Sequence, residues 1–476
     1  MCDAGEAWMS GENEDKAMDA SGAERLEGLK IHFAGACGIG MSGIAQLAAA
    51  RGAIVTGCDV SLNGPSEAMK NRGIKLWTGH SPDHVSGCDL VVHTAAMPKD
   101  HPELVEARRL GIRVLPRTLM LARMQRDYRS LCITGAHGKT TTTWMLTRLL
   151  IVGGMDPSAL VGGVVSELGG SNCRVGKGEW LVCEVDESDG MMVEMRPDAS
   201  VITNVDREHL EHCNGFEGLL EEFRRYMAAT APGGLLAICG DDPYLPRLAR
   251  EAGRRAITYG MSSECEIRAE NVRLFPMASA FDVAAPWGRL DGMTLPMPGR
   301  HNVINALAAV AVAREMGIGE AHLREALASC PRVNRRLQVR GEAFGATVVE
   351  DYGHHPTEIK ETLKAARRFC RGRLIVVFQP HRYSRTRQLL GEFATAFDDA
   401  DRVLVLPIYP ASEAPIEGVD SRKLTEAIAA QGNTQVEFSE SFEAAIKRLA
   451  ALAGRDDVIL IQGAGDVCKV ATRLVG

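Results

Sequence analysis

Short apolar runs recur along the chain, and most of them end in glycine or in an acidic residue before a stretch with helical periodicity. An apolar run of about four to eight residues bounded in this way is typical of a buried parallel strand. The runs fall into three groups, and a length of 476 residues also favours about three domains. The pattern therefore predicts a three-domain α/β protein.

The first group of predicted strands surrounds a glycine-rich turn. These strands lie at residues 29–34, 53–58, 90–94 and 112–115. Gly38, Gly40 and Gly43 begin the helix after the first strand, and Asp59 ends the second strand 21 residues beyond Gly38. This order is the dinucleotide-binding fingerprint of a Rossmann-like domain, in which an acid contacts a ribose hydroxyl. Taken alone it indicates NAD, although any nucleotide with a diphosphate could use the same turn.

A second glycine-rich segment opens the central group. An apolar run that starts at Leu131 ends at Gly135, Lys139 follows within four residues, and a threonine cluster precedes a predicted helix at 144–150. Backbone N–H groups of such a loop bind phosphate oxygens, the lysine contacts the terminal phosphates, and a threonine hydroxyl can ligate magnesium. Ile133 stands where the full Walker pattern has its first glycine. The alternative is a glycine turn with a solvated lysine.

Two further strands of the central group run into acidic clusters. The strand at 180–183 precedes Glu184, Asp186, Glu187 and Asp189, and the strand at 199–204 precedes Asp206, Glu208 and His209. Because ligands of parallel sheets bind at the carboxyl ends of strands, both clusters are expected near Lys139. Carboxylates, an imidazole and a threonine hydroxyl would form a mixed ligand set for magnesium. For any single acid, a solvated loop is the alternative.

The rest of the central group predicts short strands and one long helix. The strands lie at 235–239, 256–259, 267–275, 279–284 and 289–293, and the alanine-rich helix lies at 304–314. Asn302 stands at the start of this helix. It could cap the helix by accepting a backbone N–H, or it could contact the edge of a base.

The third group starts after Pro331 and predicts another α/β domain. Its strands lie at 346–349, 373–378, 402–406 and 458–461, with helices that include 358–368 and 441–452. Polar side chains follow the strand ends, among them Asp351, His354, His381, Arg382, Arg385 and Asp466. They predict a second binding face.

Composition and charge argue against a nucleic-acid-binding, a membrane-spanning and a disulfide-bonded protein. Apolar content of 45% and charged content of 24% are those of an ordinary globular chain, and a net charge of -7 disfavours nucleic-acid binding. No apolar run approaches the roughly 18 residues of a membrane span. Thirteen cysteines without a Cys-x-x-Cys pair indicate reduced thiols, and therefore a cytoplasmic protein. Residues 1–28 are rich in acids, and we predict a disordered tail there.

Several stretches carry a resemblance to a known family. They are His32–Ala45, Gly135–Thr142, Asp186–Asp189, Thr203–Asn204, Pro298–Asn302, Asp351–Thr357 and Phe378–Tyr383. In sequence and in order they resemble the Mur ligases from about residue 29 to the C-terminus. The resemblance implies a UDP-sugar-binding domain at 29–127, a P-loop-type ATP-binding domain at 128–331 and a Rossmann-like amino-acid-binding domain at 332–476.

The resemblance also implies roles for individual residues. UDP-sugar binding falls to Gly38, Gly40, Gly43, Asp59, His80 and Arg117. ATP binding falls to Gly135, His137, Gly138, Lys139, Thr140, Thr141, His301, Asn302, Arg335, Arg336 and Asp351. Magnesium falls to Thr140, Glu184 and His209, with Glu187 as the alternative to Glu184. The catalytic positions are Lys139, His354, Arg382 and Arg385, of which the last three receive the amino acid.

The function that the resemblance implies is ATP-dependent amide formation. L-Alanine would be joined to the lactyl carboxylate of UDP-N-acetylmuramate through an acyl phosphate, with ATP and Mg²⁺ as cofactors. The alternative within the family is a ligase that attaches a murein tripeptide to the same sugar. An NAD-dependent oxidoreductase would leave the segment from Gly135 to Thr142 unexplained, and a binding-only regulator would not need Lys139 and the metal candidates. The oligomeric state stays open.

Overall fold

A computed structural model describes residues 26–188, 190–208, 210, 213–411, 413–432 and 434–476. These residues form three β-sheets with associated helices, which confirms the predicted α/β class. The chain separates into two compact units. The first ends at Thr258 and also includes Ala308–Gly319, and the second comprises Tyr259–Leu307 and Glu320–Gly476. Most of the predicted acidic tail and His209 lie outside the described residues, and the predicted domain boundaries stay predictions.

The first sheet consists of five parallel strands in the order β3-β2-β1-β4-β5. Its elements are β1 (Lys30–Ala34), α1 (Ile39–Ala50), β2 (Ile54–Asp59), α2 (Ser66–Asn71), β3 (Lys75–Thr78), β4 (Leu90–His93), α3 (Pro102–Arg109), β5 (Arg113–Pro116) and α4 (Arg117–Met124), with 3₁₀ helices at Pro82–Val85 and Gln125–Asp127. The strand order reverses at β1, and the glycine turn follows its carboxyl end. This switch point is where open parallel sheets bind nucleotides, so the sheet is Rossmann-like as predicted.

The central strands of the first unit lie side by side in the order β11-β10-β6-β9-β7-β8. Their elements are β6 (Arg129–Thr134), α5 (Lys139–Val152), β7 (Ser158–Val165), β8 (Ser171–Arg174), β9 (Trp180–Glu184), β10 (Ala199–Ile202), α6 (Gly215–Ala229), β11 (Leu235–Cys239) and α7 (Leu245–Glu251), with 3₁₀ helices at Ser166–Leu168 and Met192–Glu194. All neighbours are parallel except β7 and β8. The phosphate loop therefore joins a central strand, β6, to a helix that buries Trp144 and Leu149.

The second unit begins with mostly antiparallel strands. Its first elements are β12 (Ile257–Gly260), which starts in the first unit, β13 (Ile267–Leu274), β14 (Ser279–Ala285), β15 (Gly288–Leu295), α8 (Arg300–Glu315), which belongs to the first unit from Ala308 onwards, and α9 (Glu320–Ala328). Strand β14 pairs antiparallel with both β13 and β15. Helix α8 is buried almost all round, as expected for its alanine- and valine-rich sequence.

The last sheet has the order β16-β17-β21-β18-β19-β20 and is parallel apart from its edge strand β16. Its elements are β16 (Gln338–Ala343), β17 (Ala346–Asp351), α10 (Pro356–Arg367), β18 (Leu374–Phe378), α11 (Tyr383–Gln388), α12 (Leu390–Ala394), β19 (Arg402–Val405), α13 (Ser421–Ala429), β20 (Gln435–Phe438), α14 (Phe442–Leu452), β21 (Val458–Gln462) and α15 (Cys468–Val475). Alternate residues of β18 pack into two separate apolar cores. Burial on both faces explains its uninterrupted apolar run.

The apolar pattern missed elements whose sequences are polar or short. Strand β8 is mostly buried although it contains the polar residues Ser171 and Asn172. In β3, at the edge of its sheet, two residues are exposed and two are partly buried. Strand β7 contains two adjacent glycines, which weaken a strand signal. Within the described part of the chain, no helix combines the length and the apolar character that crossing a membrane requires.

Candidate active site

The loop between β6 and α5 has the backbone geometry of a phosphate-binding loop. Gly135 has φ +123° and Gly138, which precedes α5, has φ +84°, and both values disfavour residues with a Cβ. A Cβ at Gly135 would also overlap the Thr203 hydroxyl. The N-terminus of a 14-residue helix points its free N–H groups towards this loop. The loop can therefore bind an anionic group through its backbone.

The segment after β10 holds the loop in place. The His137 amide donates to Asn204 Oδ1 over 2.8 Å, and the Asn204 carbonyl accepts from the Ala136 amide over 3.1 Å. The Thr203 hydroxyl donates to the His137 carbonyl over 2.7 Å. The His137 ring contacts Asp206, with 2.8 Å between Nε2 and Oδ2. Thr203 and Asn204 therefore shape the loop, a role that the sequence did not assign.

Lys139 is the central cation of this region. Its Nζ donates to Glu187 Oε2 over 2.8 Å and to the Gly135 carbonyl over 2.6 Å. Burial lowers the pKa of Lys139, but the carboxylates of Glu187, Asp186 and Glu184 outweigh burial and hold the pKa above its ordinary value. The ammonium therefore stays charged at neutral pH, as a group that contacts phosphate must.

A hydroxyl and a carboxylate lie together beside the lysine. Thr140 Oγ1 donates to Glu184 Oε2 over 2.8 Å. A Cβ at Gly162 would overlap the Glu184 carboxylate, so the glycine leaves space for it. Both groups offer the oxygen ligands that magnesium prefers. Glu187, by contrast, is buried against Lys139, and this arrangement fits Glu184 better than Glu187 as the metal carboxylate. The third predicted ligand, His209, lies outside the described residues.

The turn after β1 brings a different set of side chains together. Gly38 precedes α1, and a Cβ at Gly40 would overlap the guanidinium of Arg117. Asp59 Oδ2 accepts from the Cys37 amide over 2.9 Å, so its carboxylate already binds the turn. Gly43 lies against Asn172, whose Nδ2 would come within 3.2 Å of an added Cβ. Gly40 and Arg117 therefore lie together at the turn, whereas Gly43 allows α1 to pack closely.

Arg117 links this turn to the acidic segment after β9. Its Nη2 lies 3.1 Å from Asp186 Oδ2, and Glu187, the next residue, pairs with Lys139. A series of neighbouring charged side chains thus runs from Arg117, beside Gly40, through Asp186 and Glu187 to Lys139. The turn that follows β1 and the loop that follows β6 are two ends of one polar region within the first unit.

The structure places His80 in a different group of side chains. Its Nδ1 lies 3.2 Å from Cys58 Sγ and 3.3 Å from Glu103 Oε2. Its predicted role in UDP-sugar binding stays a prediction.

In the second unit, three of the predicted side chains cluster with His381 around the start of α11. The Arg385 guanidinium donates to His381, with 3.2 Å between Nη1 and Nδ1, and the His354 and His381 rings lie 5.3 Å apart. Arg382 precedes α11 with φ +73°, and its buried Nε has no hydrogen-bond partner among the described residues. A buried N–H donor without a partner is costly, and a carboxylate would satisfy it.

The predicted nucleotide-binding residues near β17 are strongly engaged with one another. Asp351 accepts from the amides of Leu337 and Gly353, each over 2.8 Å. Arg335 pairs with Glu350 over 2.6 Å, and Arg336 lies 3.7 Å from Glu358. These contacts position the segment around residue 335, and the predicted contacts with ATP stay predictions.

Asn302 and His301 lie in the first turn of α8. The helix begins at Arg300, so Asn302 is inside it, and its Nδ2 donates to the Pro298 carbonyl over 2.7 Å. The expectation that its side chain accepts a backbone N–H as a cap is therefore wrong. His301 Nδ1 lies 3.8 Å from Glu361 Oε2. The base-contacting role of both residues stays a prediction.

Sequence reasoning missed a buried amide network beside the glycine turn. Asn172 Oδ1 accepts from the Ser42 hydroxyl and from Gln46 Nε2, each over 3.2 Å, and the Ser171 hydroxyl donates to Gln46 Oε1 over 2.8 Å. The network joins α1 to β8. No sequence motif indicates this network, because its residues on α1 and on β8 are 125 to 130 positions apart in the sequence.

Sequence comparison matches all three parts of the chain to one family. The description "Mur ligase family, catalytic domain" matches residues 30–129, "Mur ligase middle domain" matches 133–313, and "Mur ligase, glutamate ligase domain" matches 335–465. The UDP-N-acetylmuramate--L-alanine ligase of Agrobacterium fabrum is 42% identical over 451 residues, which cover 93% of this chain and 96% of that protein.

Solved structures of ligases have a fold similar to that of this chain. The crystal structure of the UDP-N-acetylmuramate-alanine ligase MurC of Thermotoga maritima is similar with a TM-score of 0.81 and 28% identity, over 94% of this chain and 98% of that one. A murein peptide ligase of Psychrobacter arcticus shares the fold with a TM-score of 0.71 and 23% identity, over 94% and 98% of the two chains. The three sheets, the phosphate loop and these matches over nearly the full length show that the chain belongs to the Mur ligase family.

Proposed function

We propose that the protein is a cytoplasmic ATP-dependent ligase that joins L-alanine to the lactyl carboxylate of UDP-N-acetylmuramate and releases ADP and phosphate. This reaction is a step in the synthesis of peptidoglycan precursors. The names of relatives at about 40% identity support the substrates. The observation that carries the proposal is the series of charged side chains from Arg117 through Asp186 and Glu187 to Lys139. It joins the turn after β1, where Arg117 lies beside Gly40, to the phosphate loop after β6.

The turn after β1 has the groups that an anionic sugar nucleotide needs. Gly38 directly precedes α1 and Gly40 lies in its first turn, and the N-terminus of this helix attracts a diphosphate. Arg117 adds a fixed positive charge beside Gly40. We assign the diphosphate of the UDP sugar to this turn and its lactyl carboxylate to the Arg117 side. Asp59 acts through the Cys37 amide, as a residue that shapes the turn.

The loop after β6 supplies the phosphoryl-transfer chemistry. A carboxylate is a poor acyl donor, so its oxygen first attacks the terminal phosphorus of ATP, and the bond from that phosphorus to the bridging oxygen of ADP breaks. Lys139 and the backbone N–H groups of the loop stabilise the charge on the transferred group. Thr140, Glu184 and His209 would hold magnesium, which neutralises phosphate charge when it is bound.

The cluster at α11 fits the second half of the reaction. The free amine of alanine attacks the carbonyl carbon of the acyl phosphate, and phosphate leaves. We assign the alanine carboxylate to Arg382 and Arg385, since a guanidinium binds a carboxylate with two parallel hydrogen bonds and so aims the amine. The Nε of Arg382, which has no hydrogen-bond partner in the described part of the chain, supports this assignment. The His354 ring lies next to the His381 ring, and His381 in turn contacts Arg385.

The experiment is a phosphate-release assay with ATP, magnesium and UDP-N-acetylmuramate, and with a panel of acceptors. We expect phosphate only when both the sugar and an amino acid are present, with the highest kcat/KM for L-alanine. A higher kcat/KM for a murein tripeptide would replace alanine by that acceptor and keep the sugar. No release of ADP with any acceptor would contradict the proposal.

A further inference from the structure

A compact group of metal-ligating side chains lies in the first sheet, and none of these side chains is among those assigned to the glycine turn. His32 on β1, Cys58 on β2, His84 in the Pro82–Val85 3₁₀ helix and Glu103 on α3 each point one ligand atom inwards. These four atoms all lie within 4.8 Å of one another. We name these four residues the His/Cys/Glu cluster. Its members come from four separate elements, so the fold rather than a local motif assembles it.

The spacing of the ligand atoms is close to that of a tetrahedral metal site. His32 Nε2 lies 3.4 Å from Cys58 Sγ, Cys58 Sγ lies 3.1 Å from Glu103 Oε1, and His84 Nδ1 lies 2.9 Å from the same oxygen. Zinc bonds of about 2.0 to 2.3 Å in a tetrahedron separate the ligands by about 3.3 to 3.8 Å. A small outward movement of the side chains would therefore admit an ion.

Burial and charge also suit a divalent cation. The side chains of His32 and Glu103 are fully buried, Cys58 is buried, and that of His84 is 13% exposed. A thiolate and a carboxylate together carry two negative charges, and two neutral imidazoles add none. A divalent ion would leave the buried group electrically neutral, which removes the cost of burying either charge alone.

Neighbouring groups orient the ligands as in known metal sites. His32 Nδ1 lies 3.0 Å from Thr56 Oγ1, which turns Nε2 towards the cluster. The Ser81 amide donates to Glu103 Oε1 over 3.0 Å, and the Trp77 ring stacks on His84 with 4.6 Å between centroids. Partners of this kind fix the tautomer and direction of a ligand. His80 also reaches Cys58 and Glu103 from a more exposed side.

From this geometry we infer that the His/Cys/Glu cluster binds a zinc-type divalent transition-metal ion. The mixed sulfur, nitrogen and oxygen set selects such an ion over magnesium or calcium, which bind oxygen alone. The ion would tie β1 and β2 to the segment from Trp77 to Glu103 and so stabilise the first domain. None of the four side chains has a role in the proposed ligase reaction, in which phosphoryl transfer is assigned to the residues around Lys139. On binding, the Cys58 thiol releases its proton to solvent.

The test uses the full chain without a histidine tag. Mass spectrometry of the purified protein should find about one zinc per chain. After removal of metal with a chelator, a cobalt titration should give the visible bands of tetrahedral cobalt and a thiolate-to-cobalt charge-transfer band. Cys58→Ser should lose the charge-transfer band. Cys239→Ser, which alters another buried thiol of the same unit, should keep it.

Thr56→Val keeps all four ligands and removes only the hydroxyl beside His32. We expect it to fold, to retain the charge-transfer band and to bind cobalt about 10-fold to 100-fold more weakly. It therefore tests the site even where Cys58→Ser does not fold. The inference is overturned if the wild-type chain gives no charge-transfer band with cobalt, or if Cys58→Ser gives the same band.

Discussion

The chain has a glycine turn followed by a helix N-terminus in two places, after β1 and after β6. In both places a buried parallel strand ends at glycines that precede the N-terminus of a helix. The side chains around the two turns differ. Lys139, Glu184 and Glu187 surround the loop after β6, whereas the turn after β1 has Arg117 and uses its nearest acid, Asp59, to accept the Cys37 amide.

We interpret this difference in side chains as a division of roles, in which the turn after β1 binds a substrate and the loop after β6 carries out phosphoryl transfer. A helix N-terminus and glycine backbone suffice to hold a phosphate group, and both turns have them. Transfer of a phosphoryl group also needs a point charge and oxygen ligands for a metal. Of the two turns, the loop after β6 has both, in Lys139 and in Thr140 and Glu184. We therefore predict that changes at the two turns affect different steps.

The largest effect is expected for Lys139→Met. The variant removes the charge that we propose to stabilise the transferred group, and we expect kcat/KM for ligation to fall by about 10³-fold. Binding of UDP-N-acetylmuramate, measured by calorimetry, should change little, because that substrate is assigned to the other turn. Lys177→Met alters an exposed lysine of the same unit and should leave both quantities unchanged. Normal turnover in Lys139→Met would remove the loop from the mechanism.

Glu184→Gln should weaken magnesium binding. The substitution removes the charge beside the Thr140 hydroxyl, and we expect the magnesium concentration for half-maximal activity to rise about 10-fold to 100-fold. Glu179→Gln, at an exposed acid just before the same strand, is the control and should behave as wild type. An unchanged magnesium dependence would transfer the metal role to another carboxylate, with Glu187 first to be examined.

The strand that leads into the first turn carries a buried histidine, His32, whereas β6 has no histidine. Burial lowers the pKa of His32 to about 4, Glu103 raises it, and His84 and His80 lower it. Between pH 6.5 and pH 4 the unfolded chain binds a proton that the folded chain does not, so stability falls as the pH falls through this range. From pH 7 to pH 5 this contribution amounts to about 2 kcal/mol.

Urea unfolding of chelator-treated protein at the two pH values measures this loss. His32→Gln should show a smaller loss of unfolding free energy between pH 7 and pH 5, by about 2 kcal/mol. His322→Gln alters an exposed histidine and should keep the full loss. If wild type and His32→Gln lost the same amount, protonation of His32 would not contribute.

The smallest effect is expected for Gly40→Ala. The added Cβ would displace the Arg117 guanidinium, and we expect the KM for UDP-N-acetylmuramate to rise about 10-fold, equivalent to about 1.4 kcal/mol, with little change in the KM for ATP. Gly391→Ala is the matched control, because an added Cβ there meets open space and the backbone has an ordinary φ. Equal changes in both KM values would contradict the division between the two turns.

The sequence predicted the parts of the molecule that follow local rules. The strands β6, β9 and β11 are apolar and bounded by polar residues, and the glycines around Gly135 mark a backbone that only glycine adopts easily. These signals depend on neighbours in sequence. Lys139 and Thr140 follow from the same local segment, so they could be placed correctly next to the loop.

The parts that the sequence did not predict depend on contacts between distant residues. Asn172 meets Ser42 and Gln46 only because α1 packs on β8. The His/Cys/Glu cluster forms only because the sheet order places β1 beside β2, and its spacing in sequence matches no metal motif. The predicted roles of Arg117 in UDP-sugar binding and of the α11 arginines in amino-acid binding came from family resemblance, not from periodicity or composition.

The central claim is that a carboxylate bound at the turn after β1 receives the terminal phosphoryl group of ATP from the loop after β6. Its most direct test uses UDP-N-acetylmuramate with oxygen-18 in both lactyl carboxylate oxygens, and mass spectrometry of the phosphate released with L-alanine. The account predicts one oxygen-18 atom in each phosphate, because the oxygen that attacks phosphorus leaves with it. Phosphate without the label would contradict the account.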